Sequence, residues 1–100
     1  MEGTWNLEVS TPFGTHPATL VIERAGGALT GHVSSRIGTS ALSDIRVEGD
    51  GFEATASHDF GGRTYTARVT GTADGVRLTG TIKVDLPLAP PARFTGTRAG

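Results

Sequence analysis

Residues 52–71 read FEATASHDFGGRTYTARVTG, and this stretch decides the fold. On each side of Gly61-Gly62 apolar and polar residues alternate one by one, which is the period of a half-buried strand and not of a helical face. The glycine pair supplies the positive φ that a two-residue hairpin turn demands. A turn of that length pairs Phe60 with Arg63, and the register follows: His58 opposite Tyr65, Ala56 opposite Ala67, Ala54 opposite Val69 and Phe52 opposite Gly71.

The same pattern extends in both directions. Alternating runs over residues 3–10, 16–24, 28–35, 41–48, 52–60, 63–73, 76–85 and 92–98 predict eight strands. Ala25-Gly26-Gly27, Gly49-Asp50-Gly51 and Asp74-Gly75 are further tight-turn signals, so successive strands are antiparallel neighbours. A turn at Asp74-Gly75 sets Val69 opposite Gly80 and Ala67 opposite Ile82. Leu42 and Ile45 fall on opposite phases, which predicts a bulge or bend in the fourth strand. A meander of eight strands exposes two edges unless the first pairs with the last. The reading is therefore all-β, an eight-stranded antiparallel up-and-down barrel, one domain over residues 1–100.

Composition narrows the class. Fifteen of the 100 residues are Gly, threonine is as common, and the good helix formers Lys, Gln and Met are nearly absent. The absence of cysteine excludes a disulfide framework and a thiolate metal site. A formal net charge of −1 with no basic run argues against nucleic acid as a partner, and no apolar run approaches the ~20 residues of a membrane helix. The start MEGTWNLEVS lacks the basic region of a secretory signal, so a soluble, cytoplasmic protein with no membrane partner is expected.

Alternation assigns the interior to Trp5, Leu7, Val9, Ala18, Leu20, Ile22, Leu29, Val33, Phe52, Ala54, Ala56, His58, Tyr65, Ala67, Val69, Val76, Leu78, Ile82, Val84 and Phe94. Four Thr-Gly pairs, Thr30-Gly31, Thr70-Gly71, Thr79-Gly80 and Thr95-Gly96, place Gly inward and Thr outward. Those glycines either let a ligand approach the backbone or relieve crowding inside a tight barrel. Small residues cluster midway along strands five to seven, so the interior is either a cavity or a space filled from across the barrel. Eight strands lie near the boundary between filled and ligand-holding barrels.

The two ends differ. One carries only short polar turns. The other carries the loops with Phe13, Ile37, Leu86 and Leu88, apolar residues that a merely solvated loop does not select, together with Gly61-Gly62. That end is read as a mouth with a partial lid, or alternatively as a plug or homodimer contact.

Gly3-Thr4-Trp5 opening the first strand is similar to the start of calycin barrels, the lipocalins, fatty-acid-binding proteins and avidins, and Gly27-Ala28-Leu29-Thr30-Gly31 resembles an avidin strand. The chain also resembles short bacterial calycin-like domains of undefined activity. The lipocalin likeness implies that Trp5 closes one end with an arginine packed over it, and Arg98 occupies that place. His32, Val33 and a single Trp depart from the biotin-binding pattern, so the likeness does not extend to biotin. A chain shorter than typical lipocalins implies a small cavity.

His58 and Tyr65, opposed near the mouth, are the candidate polar groups: an imidazole beside a phenol orients a ligand carbonyl, or acts as acid and base, or closes the rim as a mutually satisfied pair. His16 lies beside the first mouth loop and His32 points outward, so no three-histidine metal site is expected. Asp59 is placed to pair with Arg63 or Arg36. No nucleophile motif or phosphate loop is present, and neither metal nor cofactor is expected. The leading expectation is binding of an apolar or weakly polar small molecule by His58, Tyr65, Phe13, Ile37, Leu86, Leu88, Ala56 and Ala67. The alternatives are a cofactor-independent isomerase or cyclase using His58 and Tyr65 in the same pocket, and a structural or oligomerising module with a filled core.

Overall fold

The computed structural model describes residues 2–12, 14–36, 38–60, 62–84 and 90–99, without the side chains of His58 and Phe60. It contains eight strands: β1 (Gly3–Thr11), β2 (Gly14–Ala25), β3 (Ala28–Ser35), β4 (Gly38–Glu48), β5 (Gly51–Phe60), β6 (Arg63–Asp74), β7 (Arg77–Val84) and β8 (Ala92–Arg98). Each pairs antiparallel with the next, and β1 pairs with β8, so the sheet closes on itself. The closure leaves no free edge, and it follows from sequence in which nearly every turn is too short for anything but a neighbouring strand.

The β5–β6 register is the one the glycine turn demands, with Phe60 opposite Arg63 and His58 opposite Tyr65. In β4 the register slips by one residue between Ser43 and Arg46, and Asp44 takes φ 52° there. This bulge reconciles the conflicting phases of Leu42 and Ile45.

The β6–β7 turn corrects the sequence reading. The central residues are Gly75 and Val76 rather than Asp74 and Gly75, because Asp74 pairs with Arg77. Val69 therefore faces Ile82, Ala67 faces Val84, and Gly71 faces Gly80. Gly75 holds φ 63°, as the first central position of a hairpin turn requires when the second keeps an ordinary φ. Val76, assigned to the interior by alternation, is 62% exposed at the tip of that turn. The slip is an even number of residues, so Leu78 and Ile82 keep their inward phase.

The Thr-Gly glycines resolve in favour of crowding. A Cβ on Gly71 would lie 2.6 Å from the Phe52 ring, one on Gly80 2.6 Å from the Phe94 ring, and one on Gly96 2.5 Å from Leu7. On Gly31 it would meet the Val21 carbonyl oxygen at 2.5 Å, with Ile22 and Leu42 beyond. Each glycine faces a bulky residue directly across the ladder: Phe52 on Gly71, Phe94 on Gly80, Leu7 on Gly96, Leu42 on Gly31. Ring over glycine and leucine over glycine fill the narrow interior without strain.

Candidate functional site

The close fit of ring and leucine over glycine lies in one half of the barrel. The buried residues Trp5, Leu7, Leu20, Ile22, Leu42, Phe52, Ala54, Val69, Leu78 and Phe94 form one cluster, extending from the barrel's middle to the end that carries the turns at 26–27, 49–50 and 75–76. We call this end the base. Trp5 and Leu78 are wholly buried, and the Arg98 guanidinium lies 4.5 Å from the centroid of the Trp5 ring. Arg98 also donates from Nη1 to the Glu2 carbonyl at 2.7 Å. Main-chain bonds lace the base: Ala73 N–H donates to the Asp50 carbonyl, Arg98 N–H to the Val76 carbonyl, and Ala99 N–H to the Thr4 carbonyl.

Toward the other end the inward positions change character. Along β1 the sequence from base to mouth runs Trp5, Leu7, Val9; along β5 it is Phe52, Ala54, Ala56; along β6, read the same way, Val69, Ala67, Tyr65; along β7, Leu78 then Ile82 and Val84. The residues nearer the base in these series are buried and those nearer the mouth are half-buried, although Leu29 and Ala73, inward at the base itself, are half-buried as well. The backbone wall screens inward side chains from outside solvent, so their exposure comes through the lumen. The cross-strand partners here are of mixed size. Ala56 lies between Leu42 and Ala67, Ala18 between Leu7 and Ser35, and Ala67 between Ala56 and Val84. Each alanine thus has one small and one larger inward neighbour, and it is half-buried where the base residues are covered.

Of the predicted site residues, Ala56, Ala67 and Tyr65 are half-buried on the inward phase of this open half. His58 is the backbone partner of Tyr65. Phe13, Ile37, Leu86 and Leu88 lie outside the described residues. His16 is an exposed residue of β2 beside the mouth, on the inward phase opposite Val9, and His32 is exposed. Asp59 accepts a 2.6 Å hydrogen bond from the Thr64 hydroxyl in place of the expected arginine. Among the described residues no group of three His, Asp or Glu side chains is placed to hold a metal ion. Ser35 and Ser40, mouth serines with no His–carboxylate relay legible in the sequence, share the inward phase through their pairing with Ala18 and Val33; the alternation of β3 carries that signal for Ser35.

A separate groove of about 1010 Å³ crosses the outside of the wall. Its lining includes Asn6, Glu8, Thr19, Thr79, Thr95 and Thr97, all on the outward phase, so it is a saddle in the hyperbolic barrel surface and not the lumen.

No family model and no curated protein matches this sequence. Among solved structures the chain is similar to fatty-acid-binding protein 1 of Echinococcus granulosus, with 15% sequence identity, a TM-score of 0.65, and alignment over 100% of this chain and 98% of that one. The fold is calycin-like. At that identity the similarity establishes the architecture alone. The calycin-like features are particular: a closed antiparallel meander, and an opening-strand tryptophan at the base under an arginine from the last strand.

Proposed function

We propose that this barrel binds a small apolar or weakly polar molecule in its mouth half, with Ala56 and Ala67 supplying the space and Tyr65 and His58 the polar contacts. The carrying observation is that the inward residues of the mouth half, Val9, Ala18, Ala56, Ala67 and Tyr65, are half-buried rather than buried. Phe13, Ile37, Leu86 and Leu88, on the mouth loops, form the apolar entrance in this reading. The similar solved structure is named for binding fatty acids, which supports a ligand inside a barrel of this shape.

The test is displacement of Nile red, a neutral dye whose emission rises in apolar surroundings, from the wild type and from Ala67→Trp. Wild-type protein is expected to enhance the dye, and the indole, filling the lumen, to weaken that binding by at least about ten-fold with the melting temperature preserved. Dye binding unchanged by Ala67→Trp would place the dye elsewhere and defeat the proposal. The isomerase or cyclase reading rests on the same opposed pair, His58 and Tyr65, and differs only in yielding product. Turnover of a bound candidate substrate, lost in Tyr65→Phe, is its signature.

A further inference from the structure

We infer that the unzipped end of the β3–β4 seam is a self-association surface, at which two copies of the chain pair antiparallel through residues 46–48 of β4. The inference is independent of the ligand proposed for the mouth, because the seam parts at the opposite end. Every strand of the closed sheet has a neighbour on each side, yet the β3–β4 ladder stops at Gly31 opposite Leu42. Nearer the base, residues 28–30 of β3 pair only with β2, and residues 46–48 of β4 pair only with β5. The bulge is the cause: one extra residue between Ser43 and Arg46 bends β4 along β5 and away from β3.

The side chains of that stretch reflect the missing neighbour. Val47 shares the inward phase of its partner Phe52, which is buried, yet Val47 is 41% exposed. Arg46 and Glu48 flank it on the outward phase and are exposed. Neither belongs to the two ion pairs among the described residues, Arg24 with Glu2 and Arg68 with Glu53.

Unpaired strand main chain is a template for another strand, and charge selects which one. Antiparallel pairing of this segment with itself has three registers that keep the faces matched. Centred on Arg46, it sets Arg46 against the partner's Arg46 and Asp44 against the partner's Glu48, like charges that oppose pairing. Centred on Ile45, it needs Asp44 in the ladder, and the φ of 52° there is not extended backbone. Centred on Val47, it sets Arg46 opposite the partner's Glu48, twice by symmetry, and covers Val47 with the partner's Val47. Both rows of the sheet then continue across the dyad. Outside, Arg68, Glu53 and Arg46 are followed by the partner's Glu48, alternating in sign; inside, Gly71, Phe52 and Val47 are followed by the partner's Val47. The bulge ends the ladder on one side and the turn at Gly49, with φ 60°, on the other. Two copies therefore close on each other and the pairing does not propagate. So short a ladder buries less than a standard interface, and a dissociation constant on the order of 100 μM is expected.

Sedimentation equilibrium of the intact chain between about 10 μM and about 1 mM is the test, with the wild type expected to pass from monomer to dimer. Arg46→Glu and Glu48→Arg each turn both cross-dimer pairs into like charges, and each should weaken association at least about ten-fold. An equimolar mixture of the two variants restores opposite charges at both pairs and should associate within about three-fold of the wild type. Arg46→Glu also sets a carboxylate opposite Glu53 in its own chain. That cost is present in the variant alone and in the mixture, so comparing them reads the cross-dimer pairs. Glu48→Arg faces only Gly51 in its own chain, and its loss of association is readable even if the other variant is destabilised. A wild type that stays monomeric throughout, a dimer indifferent to both reversals, or a mixture no tighter than its components would each overturn the inference. Dye binding at the mouth is expected to be the same in all of these samples, so the binding function stands or falls separately.

Discussion

The base and the mouth of this barrel are written in nearly the same residues and are covered to different degrees. Both halves are built from alternating strands with Thr, Ser, Arg and Glu outside and Ala, Gly, Val and Leu inside. Pairing explains the base. Gly71, Gly80, Gly96 and Gly31 sit opposite Phe52, Phe94, Leu7 and Leu42, so every missing side chain is filled by its partner. Ala56 sits between Leu42 and Ala67 and Ala18 between Leu7 and Ser35, one larger and one small neighbour each, and both are half-buried. Space inside a small barrel thus depends on the partners on both sides of a position and not on the count of small residues.

Substitutions that add bulk should divide sharply along this line. Gly80→Leu would press a side chain into the Phe94 ring and the Thr70 carbonyl. It is expected to destabilise by more than about 4 kcal/mol, leaving little folded protein in a denaturant titration. Ala56→Leu adds similar bulk to the same sheet face, yet its expected cost stays within about 1 kcal/mol, because the new methyls enter open space. Equal costs for the two would erase the distinction between the halves.

A smaller effect concerns how the base is closed. Arg98→Ala removes the guanidinium from the Trp5 ring and its bond to Glu2. Thermal denaturation should report a loss of roughly 0.5–1 kcal/mol, with ligand binding at the far end untouched. A change in ligand affinity as large as the change in stability would mean that the halves are coupled.

Much of this architecture was legible in the sequence, for reasons that can be named. The β5–β6 register follows from Gly61-Gly62 because two adjacent glycines leave one turn length open, and the β4 bulge follows from the clash between Leu42 and Ile45. The β6–β7 register was misread because Asp74-Gly75 also resembles a turn centre, while Val76 looks like the first residue of a strand. Only the pairing of Asp74 with Arg77 shows that glycine takes the first central position and that valine is left in water. The Thr-Gly repeats were ambiguous for a related reason: a lone glycine does not say what faces it, and the answer came from strands up to 89 residues away, as for Leu7 and Gly96. The inward placement of Ala56, Ala67 and Tyr65, the centre of the proposed site, is legible because one hairpin determines the geometry. Ser40 reads from sequence as part of a mouth loop, whereas the fourth strand begins at Gly38 and turns it inward.

The claim that the mouth half is hollow and the base is solid is tested most directly by thiol reactivity, since the chain has no cysteine of its own. Ala54 and Ala56 lie two residues apart on the same face of β5, the first 3% exposed and the second half-buried. With methyl methanethiosulfonate, a small neutral reagent, the A56C thiol is predicted to react at close to the rate of a solvated cysteine. The A54C thiol should react at least about 100-fold more slowly, its modification waiting on local opening. If both thiols are protected alike, the interior is filled from end to end and no lumen exists for a ligand to enter.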